Sequence, residues 1–378
     1  MLRSSGRNSG RSRRLRIGAG LALGALVLSL GVGECAARRW IPAPLIPLGQ
    51  FTPPIDKPHP DWRLRYVLAP HANATITYPA SAQRPSFAVE YQVNALGMRD
   101  KERQLEKPPG TVRIALLGDS ITFGLGVPRE QTFAALLETA LRARFADDSI
   151  EVWNFGVYGY DTAQELALLE LAVAPVQPDL AVVVFFINDP VPMYYENAGR
   201  SRASTWIRRL GLSDSDSGDW HRPLSKLVVG LRSVSHLAQL TSASAFLRLR
   251  KHALEGIMRD HFDPQSSGWR EFEAALALMR DFAQRQGIEL HLALHPYVLA
   301  MDGSYDWAKE EAQVMDLCQR LGLACHDFRE RYPKVDQRGW FVHPSDTHPN
   351  AAAHALYAGF LEQALSPRVA ALRATRAR

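Results

Sequence analysis

From Thr111 onward the chain alternates between two hydrophobic periodicities. VRIALLG (112–118) is a short apolar run that ends in glycine, the pattern of a buried strand. TFAALLETALRARF (132–145) carries its apolar residues at helical spacing. EVWNFGV (151–157) predicts a second strand, and TAQELALLELAVAPV (162–176) a second helix closed by Pro178. LAVVVFFIN (180–188) has no polar alternation and predicts a third strand covered on both faces. A helix over 271–287 ends at Gly287, a good C-terminal stop, and IELHLALHP (288–296) predicts a fourth strand. A helix over 307–321, a fifth strand LACHDF (323–328) and a last helix over 350–365 complete the series. Strands alternating with helices predict a parallel sheet with helices on both faces.

Upstream the pattern differs. Residues 41–62 are dense in proline, from Pro42 to Pro60, and predict an extended linker. YVLAP, ATITYP and SFAVEYQV, within 63–98, alternate and carry turn residues, which predicts a small β-rich segment. It is either a docking subdomain or an ornament on the main sheet. Residues 41–110 thus precede a main domain over 111–365. An insertion over 190–268 follows the third strand, polar and turn-rich at first, then broadly helical over 224–258. Such an insertion lies over the mouth where α/β sites sit, which predicts a lid; a packed helical pair without substrate contact is the alternative.

IGAGLALGALVLSLGVG (17–33) is uncharged and follows a basic stretch, 1–16, with six arginines. The run sits at the lower limit for spanning a bilayer. The positive flank belongs in the cytoplasm, so residues 40 onward belong on the far side. Retention as a signal anchor over 17–34 is the preferred reading, because Arg38, Arg39 and Trp40 follow like an interfacial anchor. Cleavage near Cys35–Ala37 is the alternative.

Charge changes the picture in one respect. The formal net charge is +5, yet six arginines in 1–16 and four in the basic tail 366–378 carry ten positive charges, which leaves −5 for the rest. A mildly acidic body argues against a nucleic-acid partner. The three cysteines form no disulfide framework. Cys318 and Cys325 read as two buried thiols, with pairing the alternative in an oxidising compartment. No C-x-x-C or H-E-x-x-H metal spacing occurs.

The candidate chemistry sits at strand ends. GDSIT (118–122) closes the first strand, and a serine on a sharp strand-to-helix turn is presented to solvent for activation by a base. A nearby helix N-terminus favours developing negative charge at Ser120. Asn154, Gly156 and Gly159 close the second strand in NFGVYGY (154–160), and Asn188-Asp189 closes the third. A glycine N–H and an asparagine amide can both serve an oxyanion, and polar residues at adjacent strand ends converge on one crevice. HPSDTHPN (343–350) precedes the last helix, with His348 a candidate base, Asp346 its orienting carboxylate and His343 a competitor.

Serine, glycine, asparagine and Asp-x-His in that order resemble the SGNH/GDSL hydrolase superfamily. The likeness covers 111–365 and extends upstream through NALGMRDKE (94–102), which is similar to a membrane-anchored or exported bacterial branch. It implies a three-layer α/β/α, flavodoxin-like fold with five parallel strands in order 2-1-3-4-5. It implies Ser120 as nucleophile, His348 as base and Asp346 behind it, with oxyanion donors from Ser120 N–H, Gly159 and Asn188. Gly159 is preferred over Gly156 because the family's glycine lies five residues after the strand-two asparagine, here Asn154. Asp119, Asn154 and Asp189 support these groups. No metal or organic cofactor is implied. Two departures stand out: many members place aspartate three residues before the histidine, where this chain has Ser345, and Ile187 replaces the usual glycine or threonine before Asn-Asp.

The expected activity is ester hydrolysis through an acyl-enzyme, on O-acyl groups of envelope glycans or on lipid esters. An O-acyltransferase uses the same site with a sugar hydroxyl in place of water. A non-catalytic envelope assembly protein on this scaffold is the third reading. The expected location is the inner membrane with the domain on the periplasmic side, or secretion after cleavage. The oligomeric state is open.

Overall fold

The computed structural model describes residues 29–33, 35, 51, 53–78, 85–191, 258–297, 307–332, 339–343 and 346–376. Two compact units divide the chain, Met1–Ile46 with Gly218–Glu255, and Pro47–Ser217 with Gly256–Arg378. Of the first, residues 29–33 and 35 are described and are helical. Most of the expected anchor at 17–34, and most of the 190–268 insertion, lie outside the described residues. Among the described residues, no helix is long and apolar enough to cross a membrane.

The second unit is built on five parallel strands, β5 (Val112–Gly118), β6 (Ile150–Gly156), β7 (Leu180–Phe185), β8 (Glu289–Leu294) and β9 (Ala324–Asp327). Their spatial order is β6-β5-β7-β8-β9, the order expected from the sequence. Every residue of β5 and β7 is buried, as a strand covered on both faces requires. Val112, Ile114 and Leu116 are each 0% exposed, and burying such side chains stabilises by roughly 1.5–3 kcal/mol each. On one side α2 (Phe133–Phe145) packs with α6 (Ala351–Arg376) through Phe133, Leu137, Leu141, Tyr357, Leu361 and Leu365. The other layer joins α3 (Thr162–Leu168) to α4 (Ser267–Gln286) through Ala163 and Ala275. A further helix, α5 (Ala308–Arg320), precedes β9.

Several elements depart from their sequence pattern. The third strand stops at Phe185, and Phe186–Asp189 turn back, with the Asp189 N–H donating to the Phe186 carbonyl at 2.9 Å. The second helix is α only to Leu168, then widens to a π turn and tightens to a 3₁₀ turn holding Pro175. Proline lacks the N–H an α-helix needs and crowds the carbonyl four residues back. The last helix does not stop at 365: it passes Pro367 and runs to Arg376. Packing overrides the break, because Val369 is buried in the core and Arg373 pairs with Asp147 at 2.6 Å. Arg376 pairs with Asp179. Cys318 and Cys325 are joined in a disulfide and are not the two thiols expected; the end of α5 and strand β9 bring their Cα atoms within 6.1 Å.

The described part of the proline-rich stretch, Phe51 and 53–62, is drawn into the fold. Phe51 and Ile55 are buried, and β1 (Asp56–Pro58) pairs antiparallel with β2 (Tyr66–Leu68). Pro58 ends its strand, a position where a missing N–H is tolerated. β3 (Asn73–Tyr78) and β4 (Phe87–Gln92) form a separate antiparallel hairpin in full register from Asn73↔Gln92 to Tyr78↔Phe87. Ala74, Ile76 and Tyr78 point inward and their neighbours outward, the period-two pattern of a half-buried strand. A last hairpin, β10 (Phe341–His343) with β11 (Asp346–Pro349), leads into α6.

Candidate active site

β5 delivers its serine on a one-turn helix, α1 (Ser120–Phe123). Asp119 caps that turn, its Oδ1 accepting from the Ile121 N–H at 2.8 Å. As the first helical residue, Ser120 has no carbonyl four residues back within the helix for its own N–H. The other end of α1 is held by Arg99. Its Nη1 donates to the carbonyls of Phe123 at 2.9 Å and Gly124 at 2.5 Å, and its Nη2 to Val127 at 2.5 Å. Burial lowers the Arg99 pKa to about 10, so it remains a cation at neutral pH.

Asn154 and Gly156 clamp this turn from β6. Asn154 Nδ2 donates to the Thr122 carbonyl at 2.9 Å, and its Oδ1 accepts from the Gly156 N–H at 2.9 Å. A Cβ on Gly156 would lie 2.2 Å from the Phe123 nitrogen, so only glycine allows α1 to approach this closely. Gly159 lies in the following turn at φ 74°, in the left-handed region. That loop is tied to the end of β5 by the Val157 N–H, which donates to the Gly118 carbonyl at 3.0 Å.

The turn after β7 brings Asn188 to Asp119. Asn188 Nδ2 donates to Asp119 Oδ2 at 2.9 Å, which fixes one amide hydrogen and leaves the second for another acceptor. Asp189 closes that turn, its Oδ2 accepting from the Phe186 N–H at 3.2 Å. Asp189 is therefore a brace beneath Asn188 and not a contact of Ser120.

β11 supplies the remaining pair. His348 Nε2 lies 2.9 Å from Ser120 Oγ, and His348 Nδ1 lies 2.6 Å from Asp346 Oδ1. The His348 N–H also donates to Asp346 Oδ1 at 3.1 Å. The short spacing between the two is explained by the strand. Residues i and i+2 of a strand share a face, and Thr347 between them is exposed. Ser120 is thus joined to His348 and not to the competing His343, which lies opposite Asp346 in the β10–β11 register.

Electrostatics follow from burial and pairing. Burial pushes the His348 imidazole down, but the Asp346 charge and hydrogen bond, with Asp119 nearby, push it up, and the net shift is upward. Burial raises Asp346, the His348 charge and its hydrogen bonds lower it more, and the carboxyl lies below its ordinary value. An ionised carboxylate behind an imidazole that faces a serine hydroxyl is the arrangement that moves a proton from serine to histidine. Among the described residues, no group of three or more His, Cys, Asp or Glu could hold a metal.

Sequence reading passed over Tyr78 and Arg99. Tyr78 OH donates to Asp346 Oδ2 at 2.9 Å, across 268 residues of chain. Its inward alternation in ATITYP was visible, but no local pattern names a partner that far along the chain. Arg99 lies inside NALGMRDKE, so the motif pointed to a position whose task only the folded chain displays.

No curated protein sequence matches the chain. Solved structures do. The acetylxylan esterase Axe2 from Geobacillus stearothermophilus, as a catalytic mutant, is 14% identical at a TM-score of 0.41, covering 69% of this chain and 96% of that one. The acetyl xylan esterase AlAXEase is 15% identical at a TM-score of 0.40, covering 67% and 100%. TesA is 18% identical at a TM-score of 0.40, covering 68% and 98%. The model of the GDSL-like Lipase/Acylhydrolase family matches residues 116–356, from within β5 into α6. A match over that length means that the chain belongs to the GDSL-like lipase/acylhydrolase family and is an SGNH-type serine hydrolase acting on esters.

Proposed function

We propose that the chain is a serine esterase that cleaves O-acyl esters through an acyl-enzyme on Ser120. The observation that carries the reading is the line from Ser120 Oγ through both His348 nitrogens to Asp346, at 2.9 and 2.6 Å. Ser120 Oγ attacks the acyl carbonyl while His348 Nε2 takes its proton. The Ser120 N–H, the Gly159 N–H and the second Asn188 amide hydrogen receive the oxyanion. His348 returns the proton to the departing alkoxide, then activates water to release the acid.

The substrates we assign are O-acyl groups of envelope glycans or lipids on the extracytoplasmic face of the inner membrane. This rests on the arginine-flanked apolar run at 17–33, which orients residues 40 onward away from the cytoplasm. The test of the chemistry is turnover of p-nitrophenyl acetate by the purified protein and its Ser120→Ala variant. We expect the variant to lose at least about a thousand-fold in kcat. Equal turnover by two folded samples would remove Ser120 from the mechanism.

A further inference from the structure

We propose that Tyr78, brought in by the β3–β4 hairpin, is a positioning residue that acts on the esterase reaction through Asp346. The proposal rests on the triad assignment above and goes beyond it, because the hairpin lies upstream of the family match at 116–356.

The geometry is specific. Asp346 Oδ1 is taken up by the ring and backbone N–H of His348, and Tyr78 OH donates to the second oxygen at 2.9 Å. Asp346 is 3% exposed and Tyr78 1%, so water gives little alternative partnership to either. A buried carboxylate oxygen without a donor is costly, and the side chain would turn to find one. Turning would carry Oδ1 away from His348. The hazard is greater here because a strand, with one exposed residue between the two side chains, is all that spaces aspartate from histidine. Tyr78 itself is pinned. Its ring stacks on Phe87, its cross-strand neighbour, with centroids 4.7 Å apart and planes 10° apart.

Burial first, and then the Asp346 charge, hold the Tyr78 phenol far above its ordinary value, so it remains a donor. Asp346 faces His348 and Tyr78. His348 faces Asp346 and Asp119, and its charge is felt by His354. Tyr78 faces Tyr91, behind which lies Arg99, with the His343 ring 5.9 Å from its own. Tyr78 donates a side-chain hydrogen bond to Asp346 Oδ2.

The experiment compares full-length wild type with Tyr78→Phe, which keeps the ring, its stack and its burial. Without the phenol donor, Asp346 turns from His348, so the imidazolium loses its closest support. We expect kcat to fall by roughly 10- to 100-fold, KM to stay unchanged, and the acid limb of the kcat/KM–pH profile to move downward. In the Asp346→Asn background the same substitution should leave the limb in place and cost less. A merely structural tyrosine would lower the melting temperature and leave the limb where it was. An active Tyr78→Phe enzyme with wild-type kcat and limb overturns the proposal. Should Tyr78→Phe fail to fold, 3-fluorotyrosine at position 78 keeps the hydroxyl and makes it a stronger donor that draws charge from Asp346 without turning it; the limb should then move down with kcat held near wild type, and an unmoved limb is equally fatal. If wild type itself is inert, the esterase reading falls, while the low-field His348 Nδ1–H proton resonance, expected to shift in Tyr78→Phe, still decides whether Tyr78 acts on the pair.

Discussion

In the proposed mechanism three side chains and one backbone turn carry the chemistry, and each fails differently. Removing the Asp346 charge as Asp346→Asn keeps its shape but lets His348 adopt the wrong tautomer. The expected loss is roughly 10²- to 10⁴-fold in kcat, read by steady-state ester hydrolysis. The pH profile follows from the His348 shift. Its conjugate acid is favoured over an ordinary imidazole, so activity should fall on the acid side with a midpoint above about 6.5. A midpoint below that value would mean that the Asp346 charge does not outweigh burial. At this scale much was legible in the sequence, since Ser120 stood at the end of the first strand and Asp346 and His348 just before the last helix, and the fold brings the three together. The tasks of Asn154 and Asp189 were less so. Both support the site, but as backbone clamps whose partners, the Thr122 carbonyl and the Phe186 N–H, are set by the folded turns.

At the scale of elements, β6 and α1 meet so closely that position 156 is a sensitive probe. Gly156→Ala places a methyl carbon against the Thr122–Phe123 backbone, which must shift and take Ser120 with it. Overpacking of this kind costs about 1–3 kcal/mol, and we expect both a lower melting temperature and a disproportionate loss of kcat. Equal activity at reduced stability would show that α1 moves without Ser120. The disulfide between α5 and β9 is remote from the triad in sequence and closes a short loop. Its removal by Cys318→Ser with Cys325→Ser should lower stability by about 2 kcal/mol and leave kcat unchanged. The strand and helix order could be read from periodicity because β7 is uniformly apolar and β5 breaks its apolar run only at Arg113. The end of α6 could not. Pro367 is a local stop signal, and only the packing of Val369 and the pairing of Arg373 with Asp147 outvote it.

For the molecule as a whole, the layer under the site holds buried acids. Glu165 and Asp189 are both buried, and burial above all holds each carboxyl well above its ordinary value, with neighbouring acids adding to the effect. Neither Glu165 oxygen has a hydrogen-bond partner among the described residues. In the unfolded chain a glutamate titrates near about 4.3. Above that pH the unfolded chain gives up a proton that the folded chain keeps, so stability falls as pH rises until the folded value is passed. Glu165→Gln removes that term. Its melting temperature relative to wild type should therefore rise between pH 5 and pH 8, and parallel curves would contradict a neutral buried Glu165. Such a layer is invisible in sequence, because Glu165 sits on α3 at a position that helical periodicity alone does not mark as buried.

The measurement that bears most directly on Ser120 as an activated nucleophile is labelling by a fluorophosphonate, followed by mass spectrometry of the modified peptide. The expected result is a single adduct on Ser120, formed rapidly in wild type, slowly in His348→Ala and not at all in Ser120→Ala. An adduct elsewhere, or equal labelling of all three folded proteins, would contradict it.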